Sequence, residues 1–163
     1  MNIRWMIRRD LKYILEIESN SFEFPWTEQD FITQLRQRNS VGMIIENDDY
    51  TILGYMIYDL HKTKLDIINF AVSQNHRRQD LGSMMIDKLK SKLFLGFRTE
   101  LTVQIRESNI SGLMFFHSHN FRATSIEKSP YEVCGDDAIN MEYKIFTKKE
   151  NRFINQDFLI QSK

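Results

Sequence analysis

Apolar and polar positions along the chain change period several times, and each change marks an element. "NIRWMI" at residues 2–7 reads as a short strand, and Leu11, Ile14, Leu15 and Ile17 then recur at helical spacing through "RRDLKYILEIESNSF". Pro25 closes a loop, after which Thr27 stands as an N-cap with Asp30 three residues on and Phe31, Ile32 and Leu35 on one helical face. "SVGMIIEN" and "TILGYMIYDL", joined by "DDY", predict a β-hairpin. "KLDIINFAVS" is apolar enough to be a central strand. "DLGSMMIDKLKSKLFLG" predicts a helix that buries Leu81, Met84, Met85, Leu89 and Leu93. "TELTVQI" is a strand, "NISGLMFFHSHN" a short helix, and "FRATSIEKS" and "DAINMEYKIF" a closing strand pair. The order β-α-α-β-β-β-α-β-α-β-β predicts an α/β fold, a mixed central sheet of about seven strands with helices on both faces.

The length of 163 residues fits one domain, expected over residues 1–146. A polar tail, 147–163, follows; Phe153, Phe158, Leu159 and Ile160 are the apolar groups by which it would dock. Lys plus Arg (22) balance Asp plus Glu (22), so no overall charge draws the chain to nucleic acid or to membranes. Cys134 is the one cysteine, which excludes an intrachain disulfide framework and suits a reducing cytosol. The first residues contain no apolar run long enough for a signal peptide or a spanning helix, and a cytoplasmic protein is expected. The histidines and the cysteine show no metal-ligand spacing.

Candidate chemistry concentrates in "HRRQDLG", residues 76–82, where two arginines and a glycine meet the start of a helix after "NFAVS". Backbone N–H groups at such a start can cradle phosphate. Asp80 complicates that role. As an N-cap it would be worth about 1 kcal/mol to the helix, but its carboxylate would occupy the N–H donors that a phosphate needs. A capped helix beside a solvated basic patch accounts for the same residues.

Four segments, "FPWTEQDF" (24–31), "NFAVSQNHRRQDLGSMMI" (69–86), "IRESNISGLMFFHSHNFRA" (105–123) and "YEVCGDDAINMEY" (131–143), resemble in order and spacing the GNAT superfamily of acetyl-CoA-dependent N-acetyltransferases. Within it the sequence is most similar to the bacterial ribosomal-protein alanine N-acetyltransferases, over roughly residues 3–146. The resemblance implies that Phe70, Ala71 and Val72 pair their backbone with the pantetheine arm of CoA, with Val72 N–H as the oxyanion contact. It places the family's Q/R-x-x-G-x-G/A pyrophosphate loop on Arg77, Arg78, Gln79, Asp80, Leu81 and Gly82, followed by Ser83, and a further CoA contact on Asn109. Phe24, Pro25, Trp26 and Tyr131 fall on the loops that surround the acceptor peptide.

The departures lie at the reactive positions. Asp80 replaces a loop glycine, Gln104 stands where the family has a glutamate base, and Phe116 stands where it has a tyrosine acid that also borders the cofactor. Neither Gln104 nor Phe116 can transfer a proton. His117 and His119 follow Phe116 closely enough to be considered as proton donors to the sulfur, and Glu107, one position beyond the strand, is expected to be solvated. The resemblance implies direct acetyl transfer in a ternary complex to an amine, best a protein or peptide N-terminus, a ribosomal protein among the candidates. The substitutions leave open a catalytically impaired CoA- or peptide-binding module on the same fold. An acyltransferase for a small amine is a third option.

Overall fold

The structure, a computed structural model, describes residues 1–128 and 135–145. A seven-stranded sheet runs in the order β1-β2-β3-β4-β5-β7-β6. Its strands are β1 (Asn2–Trp5), β2 (Ser40–Glu46), β3 (Ile52–Leu60), β4 (Lys64–Val72), β5 (Glu100–Arg106), β6 (Arg122–Glu127) and β7 (Ala138–Lys144). All neighbours are antiparallel except β4 and β5, which run parallel because α3 (Leu81–Lys90) carries the chain between them. The last two strands pair as the sequence predicts, with β7 inserted between β5 and β6.

Two apolar layers cover the sheet. On one face α1 (Leu11–Ser21) and α2 (Glu28–Leu35) bury Leu11, Ile14, Ile17 and Phe31 against Ile44, Tyr55, Ile57 and Ala71. On the other, α3 and α4 (Ile110–Ser118) bury Leu81, Met85, Ile86, Leu89 and Phe116 against Met43, Met56, Leu65, Leu101 and Val103. The expected helix needs two corrections: α3 ends at Lys90, so Leu93 is buried beyond it, and one position of the stripe changes. Met84 is exposed and Ile86 takes the buried place, because the helix turns its 81–85–89 line toward the sheet.

Local signals account for the helix ends. Thr27 and Asp30 form the expected capping box of α2: Thr27 Oγ1 accepts from Asp30 N at 3.2 Å, and Asp30 Oδ2 accepts from Thr27 N at 2.8 Å. Hydrogen bonds to Thr27, side chain first and then backbone, hold the Asp30 carboxyl below its ordinary value. Asn120 closes α4 in the left-handed region, φ 66°, with Phe121 N bonded to Phe116 O at 3.1 Å and Asn120 N to His117 O at 3.0 Å. That is a Schellman ending with asparagine in the place usually held by glycine, and the Phe116–Phe121 ring contact at 5.0 Å is its apolar partner.

A buried carboxylate fixes the turn between α1 and α2 to the sheet. Glu18, on the last turns of α1, accepts Trp26 N at 2.8 Å and Asn69 Nδ2 at 3.2 Å, and Tyr55 Oη donates to it as well. Burial, then the charge and hydrogen bond of Glu18, hold the Tyr55 phenol far above its ordinary value of about 10. Glu18→Ala would strand these buried donors, an expected loss of about 3 kcal/mol or more. Differential scanning calorimetry should show a melting temperature lower by roughly 6–12 °C, whereas the same change at exposed Glu16 on α1 should leave it nearly unchanged.

Candidate active site

Strands β4 and β5 stay together only from Lys64↔Glu100 to Ile67↔Val103. Beyond that the register on the β3 side skips Ile68, which inserts an extra residue and bends β4 away from β5. Residues 69–72 remain paired to β3, so their other edge opens into a cleft. Ser73 N donates to Leu53 O at 2.8 Å, which makes Leu53/Ser73 a hydrogen-bonded pair. Antiparallel pairs alternate, so Val72 opposite Gly54 and Phe70 opposite Met56 hold the intervening positions and turn their N–H and C=O groups into the cleft. Ala71 points its backbone the other way, toward β3.

The loop after β4 presents a second set of donors. Arg78 and Asp80 both adopt the left-handed region, φ 60° and φ 58°, the conformation a glycine would take without strain. Asp80 precedes α3 without capping it, which rules out the capped-helix alternative read from sequence. An N-cap reaches the helix N–H groups from extended backbone, and the left-handed conformation of Asp80 denies its carboxylate that reach. Met84 N bonds back to Asp80 O at 2.9 Å, whereas the N–H groups of Leu81, Gly82 and Ser83 precede the first intrahelical bond. A side chain at Gly82 would lie 3.0 Å from the Phe115 ring, so glycine is what allows this end of α3 to seat against α4. The guanidinium of Arg77 turns back to Val72 O (Nε, 3.1 Å) and to Ser21 Oγ on α1 (3.1 Å), so it braces the loop against the cleft wall. Arg78 and Gln79 are exposed on the loop.

Gln104 lies one residue past the last β4–β5 pair, at the mouth of the cleft. Leu101, Val103 and Ile105 face the α3–α4 layer, so the two-residue period of β5 turns Gln104 and Arg106 to the α1–α2 face. Gln104 Nε2 donates to Glu127 Oε2 on β6 at 2.8 Å and to Asn140 Oδ1 on β7 at 3.3 Å. Phe116 is buried on the opposite face, edge-on to Phe70 at 6.2 Å and to Phe115 at 5.3 Å. His117 meets Arg122 at 3.3 Å and His119 Nδ1 meets the Phe115 carbonyl at 2.8 Å. Asn109 caps α4, accepting from Gly112 N at 2.9 Å, and Glu107 is exposed as expected.

The "FPW" turn divides its labour. Trp26 is an anchor, its backbone held by Glu18 and its ring edge-on to Phe31 at 5.3 Å. Phe24 is exposed and lies beneath the Arg106 guanidinium at 4.8 Å, which joins the turn to β5 beside Gln104; Pro25 is exposed between them. Tyr131 lies outside the described residues. Glu127, Arg106 and Glu18 are the site residues that sequence reasoning missed. Nothing local in "TSIEK" singles out Glu127; only the β5-β7-β6 register brings it to Gln104.

Residues 11–121 match the Acetyltransferase (GNAT) family. The chain belongs to that family and is an N-acetyltransferase by class. It is 25% identical over 138 residues to the [ribosomal protein bS18]-alanine N-acetyltransferase of Escherichia coli K12, covering 83% of this chain and 92% of that one. The crystal structure of the ribosomal-protein-S18-alanine N-acetyltransferase from Escherichia coli superposes with a TM-score of 0.75 at 23% identity, over 90% of this chain and 94% of that one. Arabidopsis thaliana NAA60, solved in complex with acetyl-CoA, has the same fold at a TM-score of 0.75 and 13% identity, over 88% of this chain and 99% of that one.

The backbone at position 80 makes a prediction about stability. Asp80→Gly should leave the melting temperature unchanged or slightly higher, since no cap is lost and left-handed strain is relieved. Asp80→Ala should cost about 1 kcal/mol in urea unfolding, because alanine has neither glycine's freedom nor aspartate's tolerance of that region. Equal stability of the two variants would contradict the left-handed assignment.

Proposed function

We propose that the protein transfers the acetyl group of acetyl-CoA to the α-amine of a protein or peptide N-terminus, by direct attack within a ternary complex. The observation that carries the proposal is the open edge of β4: the outward backbone of Phe70 and Val72 continues into the N–H groups of Leu81, Gly82 and Ser83. An extended amide-bearing arm can pair with the first set as an added strand would, while a pyrophosphate takes the second at the positive end of α3. Val72 N–H then stands as donor to the oxygen that becomes negative when the thioester carbonyl is attacked. Arg78 supplies charge beside the phosphates, Arg77 braces the loop, and the Asp80 carboxylate is the group that weakens the fit.

The acceptor class follows from the chemistry left at the reactive positions. An α-amine with pKa of about 8 is roughly a tenth neutral at pH 7, whereas a lysine amine of about 10.4 is neutral roughly 0.04% of the time. A site with an amide at position 104 and a phenyl at 116 is far less handicapped on the former. A thiolate whose conjugate acid resembles cysteine, at about 8.5, leaves without a dedicated donor. The Escherichia coli relative is named for an alanine of ribosomal protein bS18, which makes a small N-terminal residue of a ribosomal protein the first acceptor to try. Phe24, held to β5 beside Gln104 through Arg106, borders the side of the cleft from which that residue enters in this reading.

The test is mass spectrometry of peptides with a free N-terminal alanine, incubated with acetyl-CoA and the protein. One added acetyl on the α-amine is expected, with none on the lysines of the same peptide, and a rate that rises with pH and levels off near pH 8 as the amine becomes neutral. In calorimetric titration, Asp80→Gly should bind acetyl-CoA with about tenfold lower Kd, equivalent to about 1.4 kcal/mol. Acetyl-CoA binding without transfer to any amine would favour the impaired binding module, for which Gln104 and Phe116 argue.

A further inference from the structure

The Gln104–Glu127 hydrogen bond spans the sheet from β5 to β6, past β7, and ends at the mouth of the cleft. Gln104, Asn140 and Glu127 thus form a polar cluster on the α1–α2 face, completed by Ser125, whose Oγ accepts from Asn140 Nδ2 at 3.1 Å. Phe24 and Arg106 border the same face. Glu127 belongs to none of the ion pairs among the described residues. The neighbouring Lys128 is instead bound to Asp137. Two nearby carboxylates are engaged: Asp66 on β4 by the Thr102 hydroxyl at 2.6 Å and by Lys64 at 3.5 Å, and Glu18 by Trp26, Asn69 and Tyr55. An amide that donates to a carboxylate aims it and leaves its charge in place; a lysine would neutralise it.

Building on the transferase reading given above, the geometry points to Glu127 as the catalytic carboxylate of this protein, held at the acceptor entrance by Gln104. The acceptor amine reacts in its neutral form, and its lone pair forms the N–C bond to the acetyl carbonyl carbon. The proton the nitrogen sheds as it attacks passes to this carboxylate, directly or through one bridging water, and from there to solvent. The C–S bond breaks with its electron pair on sulfur, and the thiolate takes its proton from solvent. Gln104 is then a positioning residue whose amide orients the base; the carboxylate has moved from β5 to β6 without leaving the site.

This assignment makes carboxylate and amide exchangeable between the two positions. Glu127→Gln in the full chain should lower turnover on an N-terminal alanyl peptide at least about tenfold, the low end of what a positioned base supplies. Its Kd for acetyl-CoA and its melting temperature should stay at the wild-type values, since Glu127 touches neither the β4 edge nor the α3 start. The exchange Gln104→Glu with Glu127→Gln restores an amide–carboxylate pair across the same strands, and should recover turnover to within about threefold of wild type, far above the single variant on the scale of a base's contribution. Wild-type turnover in Glu127→Gln would overturn the role of Glu127. So would an exchanged variant that melts and binds acetyl-CoA like wild type but stays as slow as Glu127→Gln. A wild-type protein that binds acetyl-CoA and acetylates no amine would overturn the transferase reading, and this assignment with it.

Discussion

The loss of pairing between β4 and β5 after Ile67↔Val103 is the constraint on which the rest of the site depends. A parallel pair continued to the ends of both strands would satisfy the backbone of Phe70 and Val72 and leave no cleft. The extra residue at Ile68 bends β4 and also changes which side chains face which layer: Ile67 and Phe70 both pack with the α3–α4 layer, and Asn69 turns to Glu18 and Tyr55 on the other. One inserted position thereby opens the edge, aims its amides and ties the strand to α1.

Interactions on both faces hold that opening in shape. On the α1 side, buried Glu18 joins Asn69 of β4, Tyr55 of β3 and Trp26 of the acceptor-side turn in one network, so strand and turn cannot shift independently. On the other side Phe70, Phe115 and Phe116 contact one another, and Gly82 seats the α3 start on Phe115. Phe116, where a hydroxyl-bearing ring is the family's choice, therefore still serves as packing beneath β4. Charge is placed sparingly: Arg77 is spent on Val72 O and Ser21, and the carboxylate at the entrance is aimed by an amide.

Much of this was legible in the chain because its signals are local. Period changes gave the strands and helices in order, and Thr27 and Asp30 announced their capping box. Other features depend on contacts between distant segments. Nothing near Ile68 marks the bulge, and nothing in "TSIEK" reveals that Glu127 will lie across β7 from Gln104. Residue type alone leaves Asp80 a choice between cap and phosphate loop; its left-handed backbone, which residue type does not reveal, decides against the cap. The "FPW" turn could not be divided into anchor and contact before the position of Glu18 was known.

The central claim, that the open edge of β4 and the first turn of α3 together receive acetyl-CoA, is tested most directly by amide chemical shifts of the isotope-labelled full chain during titration with acetyl-CoA. The largest changes are expected at Val72 and Phe70 and at Leu81, Gly82 and Ser83, with Ala71, whose amide points toward β3, changing less. Saturating acetyl-CoA that leaves those amides in place while shifting others, such as those around the cavity lined by Tyr13, Tyr50 and His76, would contradict it.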